Sequence, residues 1–189
     1  MTFVKAAYEE LTVGAGIEIS IALHPRHTFP ETFYQYVSRI NLMTYDMITK
    51  EKGHHAKVGL MQAAIETLLD SGCPANKILV GIPAYGRHKD NPGMAMTYSE
   101  IVDGISQRNP DATLKDIAHQ SAWKGFMFDS PTAVREKVHY TVAHKLKGVF
   151  FWEIGQDKQH EDWAPGGMLL EAAADQLSNS ITTFRSDEL

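Results

Sequence analysis

Several features that would place the chain in a specialised class are missing from its sequence. Cys73 is the one cysteine among 189 residues, so an intrachain disulfide and a cysteine-based zinc site are both excluded. No apolar run approaches the ~20 residues that a membrane-spanning helix requires. Residues 1–15 do not have the pattern of a secretory signal, because Lys5, Glu9 and Glu10 interrupt every apolar stretch. We therefore expect neither a membrane protein nor a disulfide scaffold.

Clusters of basic residues are also missing. Lys and Arg total 18 and Asp and Glu total 23, which gives a formal net charge of −5, and the two signs are mixed along the chain. Because neutralising nucleic-acid phosphates requires clustered Lys and Arg, a nucleic acid is not an expected partner. Hydrophobic residues make up 43% and charged residues 22% of the chain, which is typical of an ordinary globular protein.

Motifs that bind cofactors or metals are absent as well. The chain contains neither the glycine-rich fingerprint of a dinucleotide site nor a Walker-type lysine loop. None of its histidine pairs, of which His54 and His55 are one, has the helical i, i+4 spacing with Glu of a zinc protease. We therefore predict no cofactor and no metal. We interpret these histidines as solvent-exposed residues of loops or of helix faces.

Apolar segments of two kinds alternate along the chain. Short runs rich in β-branched residues predict four strands, over residues 17–24, 40–47, 77–86 and 148–155. Longer runs with helical spacing predict helices over residues 29–39, 58–71, 98–108, 131–146 and 167–177. Strands that are apolar along most of their length and separated by helices indicate a parallel sheet built from βα units.

Polar and aromatic residues stand at the carboxyl end of each predicted strand. They are His24, then Tyr45 and Asp46, then Tyr85 and Arg87, and finally Trp152, Glu153 and Gln156. In a (β/α)8 barrel this end of every strand faces the active site, whereas a doubly wound open sheet binds its ligand at a switch point. A complete barrel takes ~250 residues. We therefore predict an α/β fold that is a partial TIM (β/α)8 barrel, with about four βα units and parallel strands.

Three segments at the predicted strand ends carry a resemblance to a known family. Residues 41–46 (NLMTYD), 81–87 (GIPAYGR) and 148–153 (GVFFWE) resemble the motifs of the sixth, seventh and eighth barrel strands of family 18 glycoside hydrolases of the chitinase type. The resemblance covers roughly residues 3–177. It implies that residues 1–178 are the C-terminal half of such a barrel, strands five to eight, followed by a tail of residues 179–189.

The chemistry of that family assigns roles to individual residues by resemblance. Family 18 enzymes cleave polymers of β-1,4-linked N-acetylglucosamine with retention, and the acetamido oxygen of the substrate replaces a protein nucleophile. Tyr45 would donate a hydrogen bond to that oxygen, and Met43 would pack beneath the acetamido methyl group. Asp46 would accept hydrogen bonds from sugar hydroxyls, and Trp152 would form the floor under the reacting sugar. The implied partners are chitin or N-acetylglucosamine oligosaccharides.

Tyr85 and Arg87 would line the same cleft on the leaving-group side. For four of the six residues an ordinary structural interpretation is also open. Tyr45 would then be a half-buried strand tyrosine, and Asp46 a cap for the next element. In the same view Trp152 would be a core residue, and Arg87 the partner of a loop carboxylate.

The catalytic acid of the family is missing from these residues. In the family it is the last residue of a DxxDxDxE motif on the fourth strand, and no such run occurs in the sequence. Residues 1–11 resemble the helix that follows this motif. Glu153 is not expected to replace the acid, because the family does not use that position. We therefore expect the chain alone to be inactive, as a fragment of a longer chitinase. The alternative is a natural short protein that binds chitin or N-acetylglucosamine like a lectin.

Two expectations concern the shape of the fold. A half-barrel leaves its sheet edges unpaired, so we expect self-association through these edges. About 60 residues separate Arg87 from Gly148, which predicts a short insertion or none between the last two strands.

The last four residues, 186–189 (SDEL), resemble the K-D-E-L type of retention signal. Together with a signal peptide in a full-length protein, this would place the protein in the secretory pathway or the lumen of the endoplasmic reticulum. Without retention we expect an extracellular protein.

Overall fold

A sheet of four parallel strands forms the centre of the fold. The computed structural model describes residues 2–47, 53–159 and 167–186, and its sheet has the order β1-β2-β3-β8. The strands are Ser20–Leu23 (β1), Arg39–Leu42 (β2), Ile78–Pro83 (β3) and Gly148–Trp152 (β8). This confirms the predicted α/β fold, with each strand shorter than the apolar run that predicted it.

Helices cover this sheet with their apolar stripes. Helix α2, Val58–Asp70, buries Met61, Ile65 and Leu68 on one face. These side chains share an apolar cluster with Ile40 of β2 and Val80 of β3. Each side chain of this size contributes about 1.5–3 kcal/mol when it is fully buried. Three further helices are α1 (Thr2–Ala7, continued by a π-helical turn at Tyr8–Val13), α5 (Pro131–Ala143) and α6 (Met168–Ser186).

The connection between β1 and β2 differs from the prediction. Residues 29–39 were expected to form an α-helix, but the chain forms a short 3-10 helix, Glu31–Tyr36. The ammonium group of Lys77 donates to the carbonyls of Tyr34 at 2.7 Å and Val37 at 2.9 Å. The N–H of Ser38 donates to the carbonyl of Ile19 at 2.7 Å instead of to the carbonyl of Tyr34, so an α-helix does not continue here. Phe33 and Tyr34 of the short helix are buried in the same apolar cluster as Leu23 of β1 and Ile40 of β2.

A second, antiparallel sheet lies between β3 and α5. Its order is β5-β4-β7-β6, from Tyr85–His88 (β4), Ala95–Thr97 (β5), Ala122–Trp123 (β6) and Phe126–Met127 (β7). Helix α3, Tyr98–Arg108, begins at a capping box of Thr97 and Glu100, and a short helix α4, Leu114–Ile117, follows. The predicted third strand therefore ends earlier than residue 86, and its last residues belong to the second sheet. The stretch between Arg87 and Gly148 is a small subdomain of short strands and helices.

The carboxylate of Asp157 fixes the start of α6. Its two oxygens accept hydrogen bonds from the backbone N–H of Leu169 at 3.0 and 3.1 Å, and the N–H of Met168 donates to the carbonyl of Lys158 at 3.0 Å. Gly167 has a φ of 85°, and a Cβ there would come within 2.8 Å of Asp157. The two ends of the connection from β8 to α6 are therefore held next to each other.

The closing helix is longer than the predicted 167–177. Helix α6 reaches Ser186 and so continues into the segment assigned to the tail. Residues 187–189, the end of the tetrapeptide that resembles a retention signal, lie outside the described residues. Of the helices in the described ranges, none combines the length and the apolar content needed to cross a bilayer.

The parallel sheet is open at both sides within the described residues. There, β1 pairs with β2 alone and β8 with β3 alone. Most of the large apolar side chains that are exposed belong to the segments at these edges: Phe3, Leu11, Val13 and Ile17 before β1, and Trp152, Ile154 and Leu177 at and after β8. A groove of about 610 Å³ between β8, α5 and α6 is also lined mainly by apolar residues. Four parallel strands with two open edges are the geometry of a partial barrel.

Candidate active site

Tyr45 follows the carboxyl end of β2 and lies over a glycine of β3. Its side chain is 7% exposed, and a Cβ at Gly81 would come within 2.7 Å of its ring carbon Cε1. The preceding Thr44 is buried and donates from Oγ1 to the carbonyl of Gly81 at 2.6 Å. The ring of Tyr45 meets those of Tyr85 and Phe150 edge to face, each with centroids 6.3 Å apart. These contacts hold Tyr45 in one place at the end of the sheet.

Asp46 has an unusual backbone conformation. Its φ is 55°, in the left-handed region that few residues other than glycine adopt, although aspartate tolerates it better than most. Its N–H donates to Nδ1 of His55 at 3.2 Å, and the N–H of Met47 donates to the carbonyl of His55 at 2.9 Å. The backbone after Tyr45 is therefore hydrogen-bonded to His55, which lies close before the start of α2.

The side chain of Asp46 forms a bidentate ion pair with Arg87 of β4. Nε of Arg87 donates to Oδ1 at 2.8 Å and Nη2 donates to Oδ2 at 2.7 Å, the geometry in which a guanidinium binds a carboxylate most strongly. The guanidinium also lies 5.3 Å from the ring centroid of Tyr85. Arg87 was expected either to line the cleft or to pair with a loop carboxylate. It does pair with a carboxylate, and that carboxylate belongs to Asp46, which is itself a candidate site residue.

The protonation states of this cluster follow from burial and from the ion pair. Burial on its own would raise the pKa of Asp46, but hydrogen bonds from Arg87 and Tyr85 lower it well below the usual range. Burial, with a smaller effect of the Asp46 charge, raises the pKa of Tyr45 to about 12, and the same two causes raise the pKa of Tyr85. At neutral pH Asp46 is therefore an anion, which excludes it as a proton donor, and both tyrosines keep their protons.

The structure brings together five of the six residues that the sequence singled out. They are Met43, Tyr45, Asp46, Tyr85 and Arg87. Met43 packs against the small apolar cluster formed by Tyr45, Ala56 and Tyr85. Among the described residues, the carboxylate of Asp46 is bound by the guanidinium of Arg87.

Trp152, the sixth residue, ends the neighbouring strand β8. It pairs with Pro83 of β3, and its carbonyl accepts a hydrogen bond from the N–H of Ala84 at 2.9 Å. The side chain is 56% exposed, so the interpretation of Trp152 as a core residue is wrong. The next peptide bond, to Glu153, is cis, and the side chain of Glu153 is exposed. An indole face is thus open to solvent at the same end of the sheet as the Asp46 cluster.

The interpretation of His54 and His55 as solvent-exposed residues is wrong. His54 is 9% exposed and His55 is 1% exposed, and their rings stack with centroids 5.7 Å apart and planes inclined by 10°. Nε2 of His54 lies 2.6 Å from the carbonyl oxygen of Phe128, and its Nδ1 accepts from the N–H of Ala56 at 3.1 Å. Sequence spacing gave no sign of this, because the polar partners of both rings come from distant elements or from backbone groups.

The cluster is suited to binding and orienting a polar ligand with apolar faces. It offers an ionised carboxylate, protonated tyrosines and an exposed indole. In the parts of the chain that the structure describes, no group of His, Cys, Asp and Glu side chains could hold a metal ion. The carboxyl ends of the parallel strands, where these groups lie, are the face that carries the active site in a (β/α)8 barrel.

The chain belongs to the glycosyl hydrolases family 18. The model of that family matches residues 1–157, which include β1 to β8 and every residue of the cluster. The resemblance seen in the sequence motifs is thereby confirmed.

Several proteins similar to this chain are chitinases, and the chain covers only part of each of them. It is 27% identical over 178 residues to endochitinase 1 of Metarhizium robertsii, a match that covers 76% of this chain and 40% of the relative. Its fold is similar to that of a family 18 chitinase of Flavobacterium johnsoniae, with a TM-score of 0.77, 21% identity, and coverage of 94% of this chain and 55% of the other. A Cycas revoluta chitinase solved with (GlcNAc)3 gives a TM-score of 0.67 at 21% identity, over 95% of this chain and 63% of the other.

Proposed function

We propose that this chain forms the acetamido-binding side of the sugar cleft of a chitinase-type glycoside hydrolase, corresponding to strands five to eight of the barrel. The observation that carries the proposal is the cluster of Tyr45, Asp46, Tyr85 and Arg87 at the strand ends, next to the exposed Trp152. The solved Cycas revoluta relative holds an N-acetylglucosamine trimer, which supports the same class of ligand here.

Tyr45 is the residue that would act on the reacting atoms. In substrate-assisted cleavage the acetamido oxygen attacks the anomeric carbon, so a donor must hold that oxygen in line. The hydroxyl of Tyr45 has no hydrogen-bond partner among residues 2–47, 53–159 and 167–186, and its pKa of about 12 keeps it protonated. Met43, packed beside Tyr45, provides an apolar surface for the acetamido methyl group.

Asp46 and Trp152 would bind the sugar itself. An ionised carboxylate accepts hydrogen bonds from sugar hydroxyls, and the bidentate contact with Arg87 fixes its orientation. The exposed face of Trp152 would pack on the apolar face of the pyranose ring. Tyr85 and Arg87 would line the leaving-group side of the cleft.

Hydrolysis requires an acid that these residues do not supply. Asp46 is held as an anion by its pKa, and the DxxDxDxE run is absent from the sequence. General acid catalysis contributes ~10²–10⁴-fold, so the chain by itself would bind sugar without cleaving it. We place chitin hydrolysis in a longer polypeptide that contains the acid, in agreement with the 40% of the Metarhizium robertsii relative that the chain covers. A sugar-binding protein without catalysis is the second candidate, favoured by the intact binding cluster.

Calorimetric titration of the chain with an N-acetylglucosamine tetramer tests the binding role. Tyr45→Phe and Trp152→Ala are expected to weaken binding, the latter by more than tenfold, because an aromatic contact is lost together with its buried area. Tyr140→Phe is the matched control, since it removes a tyrosine hydroxyl from α5, outside the cluster. Equal affinities for all four proteins would contradict the proposal.

A fluorogenic chitobioside tests the absence of catalysis. The chain is expected to give no turnover above buffer. Turnover that disappears in Tyr45→Phe would show that the chain carries an acid of its own. Joining the chain to a preceding half-barrel that contains the DxxDxDxE motif should restore turnover, and failure of that chimera to cleave would favour the lectin-like candidate.

The location of the protein in the cell is proposed from its last four residues. They would act as a retention signal in the lumen of the endoplasmic reticulum for a precursor with a signal peptide. A secreted reporter that ends in residues 181–189 should stay inside cells. The same reporter with Leu189 deleted should appear in the medium, and secretion of both would contradict retention.

A further inference from the structure

His55, which precedes α2, is hydrogen-bonded to the backbone that follows β2. Nδ1 of His55 accepts the N–H of Asp46 at 3.2 Å, and the carbonyl of His55 accepts the N–H of Met47 at 2.9 Å. The same Nδ1 lies 3.3 Å from Oδ1 of Asp46. One residue therefore contacts both the left-handed backbone and the carboxylate of Asp46.

The ring of His55 is held rigidly in this position. On one side it stacks on His54, with the two planes 10° apart. It also packs against Tyr85, with centroids 5.2 Å apart. His54 is in turn anchored to the carbonyl of Phe128. With 1% of its surface exposed, the imidazole has little freedom to change its contacts with Asp46.

Packing alone does not explain a histidine at this place. Nδ1 accepts from a backbone N–H, so the proton of the neutral ring is on Nε2. Nε2 is buried and has no hydrogen-bond partner among the described residues. A buried polar atom without a partner is unfavourable, and an aliphatic side chain of similar size would fill the space without it. What the histidine adds is the acceptor at Nδ1.

We propose that His55 is a positioning residue for Asp46, which fixes the left-handed backbone of Asp46 and thereby aims its carboxylate at Arg87 and at the sugar. The inference rests on the proposed sugar-binding role of Asp46. Arg87 fixes the two carboxylate oxygens, and His55 fixes the backbone from which the carboxylate extends. Loss of His55 would leave the ion pair free to form in more than one geometry.

Two variants separate the acceptor from the bulk of the ring. His55→Asn retains an acceptor, because the amide oxygen of Asn reaches the position of Nδ1. His55→Leu retains apolar volume and has no acceptor. With the N-acetylglucosamine tetramer as the probe, His55→Leu is expected to weaken binding by up to about tenfold, the effect of one hydrogen bond, and His55→Asn by less than about threefold.

Hydrogen exchange of the Asp46 amide gives a readout that a packing role would not change. The N–H of Asp46 should exchange faster in His55→Leu than in the wild type and remain closer to the wild-type rate in His55→Asn, because only His55→Leu removes the acceptor of this N–H. Urea unfolding of both variants shows whether each is folded at the temperature used.

The outcomes distinguish the positioning role from the sugar-binding role. If the wild-type chain binds no tetramer, the proposed function fails, and the exchange of the Asp46 amide alone decides the role of His55. If both folded variants bind the tetramer and exchange at the Asp46 amide as the wild type does, His55 does not position Asp46. Equal loss in His55→Leu and His55→Asn would also overturn the proposal, because the acceptor would then have no special role.

Discussion

Gly81→Ala offers the sharpest test of the packing under Tyr45. A Cβ at this position would lie 2.7 Å from Cε1 of Tyr45, 2.9 Å from Cζ of Phe150 and 2.9 Å from the carbonyl oxygen of Leu42. The two rings can rotate away, but the carbonyl belongs to the neighbouring strand β2 and moves only if β2 and β3 separate. Overpacking of this kind costs about 1–3 kcal/mol. We expect the free energy of unfolding to fall by that amount.

Urea unfolding followed by tryptophan fluorescence measures this loss. For a chain of this size each kcal/mol corresponds to roughly 2–4 °C in Tm, so thermal unfolding provides a second measure. Gly59→Ala is the matched control, since no atom lies within 4 Å of a Cβ at this helical position. It should raise the free energy of unfolding by about 0.4–1 kcal/mol, because alanine restricts the unfolded chain.

Gly81→Ala is expected to lower both the free energy of unfolding and the affinity for sugar. Because the displaced ring is that of Tyr45, Gly81→Ala should weaken binding of the N-acetylglucosamine tetramer, and Gly59→Ala should leave it unchanged. If Gly81→Ala is as stable as the wild type and binds sugar equally well, Tyr45 does not lie against β3 as described. The reasoning from the close approach would then be refuted.

Three other perturbations have distinct expected outcomes. Asp129→Asn leaves the fully buried ammonium of Lys137 without its anion, and should cost about 3–5 kcal/mol in urea unfolding; a loss below about 1 kcal/mol would contradict a buried pair. Burial lowers the pKa of His54, so the unfolded chain takes up a proton first, and stability should fall as the pH drops below about 6.5. His54→Gln should flatten that slope, and an unchanged slope would assign it to other groups. The open edge of β8 predicts self-association of the isolated chain, and light scattering should give a lower mass for Phe151→Lys than for the wild type; equal masses would exclude this edge.

The predictions that depend on local pattern agreed well with the structure. Helix α2 was predicted over residues 58–71 and is found at Val58–Asp70, because its stripe of buried side chains has a clear helical period. The four parallel strands were likewise evident as separate apolar runs. The second sheet could not be predicted in this way, because strands of two to four residues are too short to show a period of two.

The sequence identified most residues of the candidate site but not the contacts between them. Motifs at the strand ends identified Asp46 and Arg87, yet nothing in the sequence joined them, since the ion pair links residues 41 positions apart. His55 was missed for a related reason. Nδ1 of His55 accepts from the backbone N–H of Asp46. Every residue except proline has such an N–H, so the type of residue at position 46 does not reveal this contact. The carbonyls near the end of the 3-10 helix after β1 likewise have a distant partner, the ammonium of Lys77.

The clamp formed by Asp157 at the start of α6 has a consequence for how this part of the fold can change. The carboxylate and the bond from Met168 to Lys158 hold the two ends of the connection together, so β8 and α6 keep their places whatever lies between the ends. Each doubling of a flexible loop adds only about 0.6 kcal/mol of closure entropy. A peptide, or an entire small domain, inserted between Lys158 and Gly167 should therefore leave the sheet undisturbed. Reporters engineered into this fold would have a natural position there.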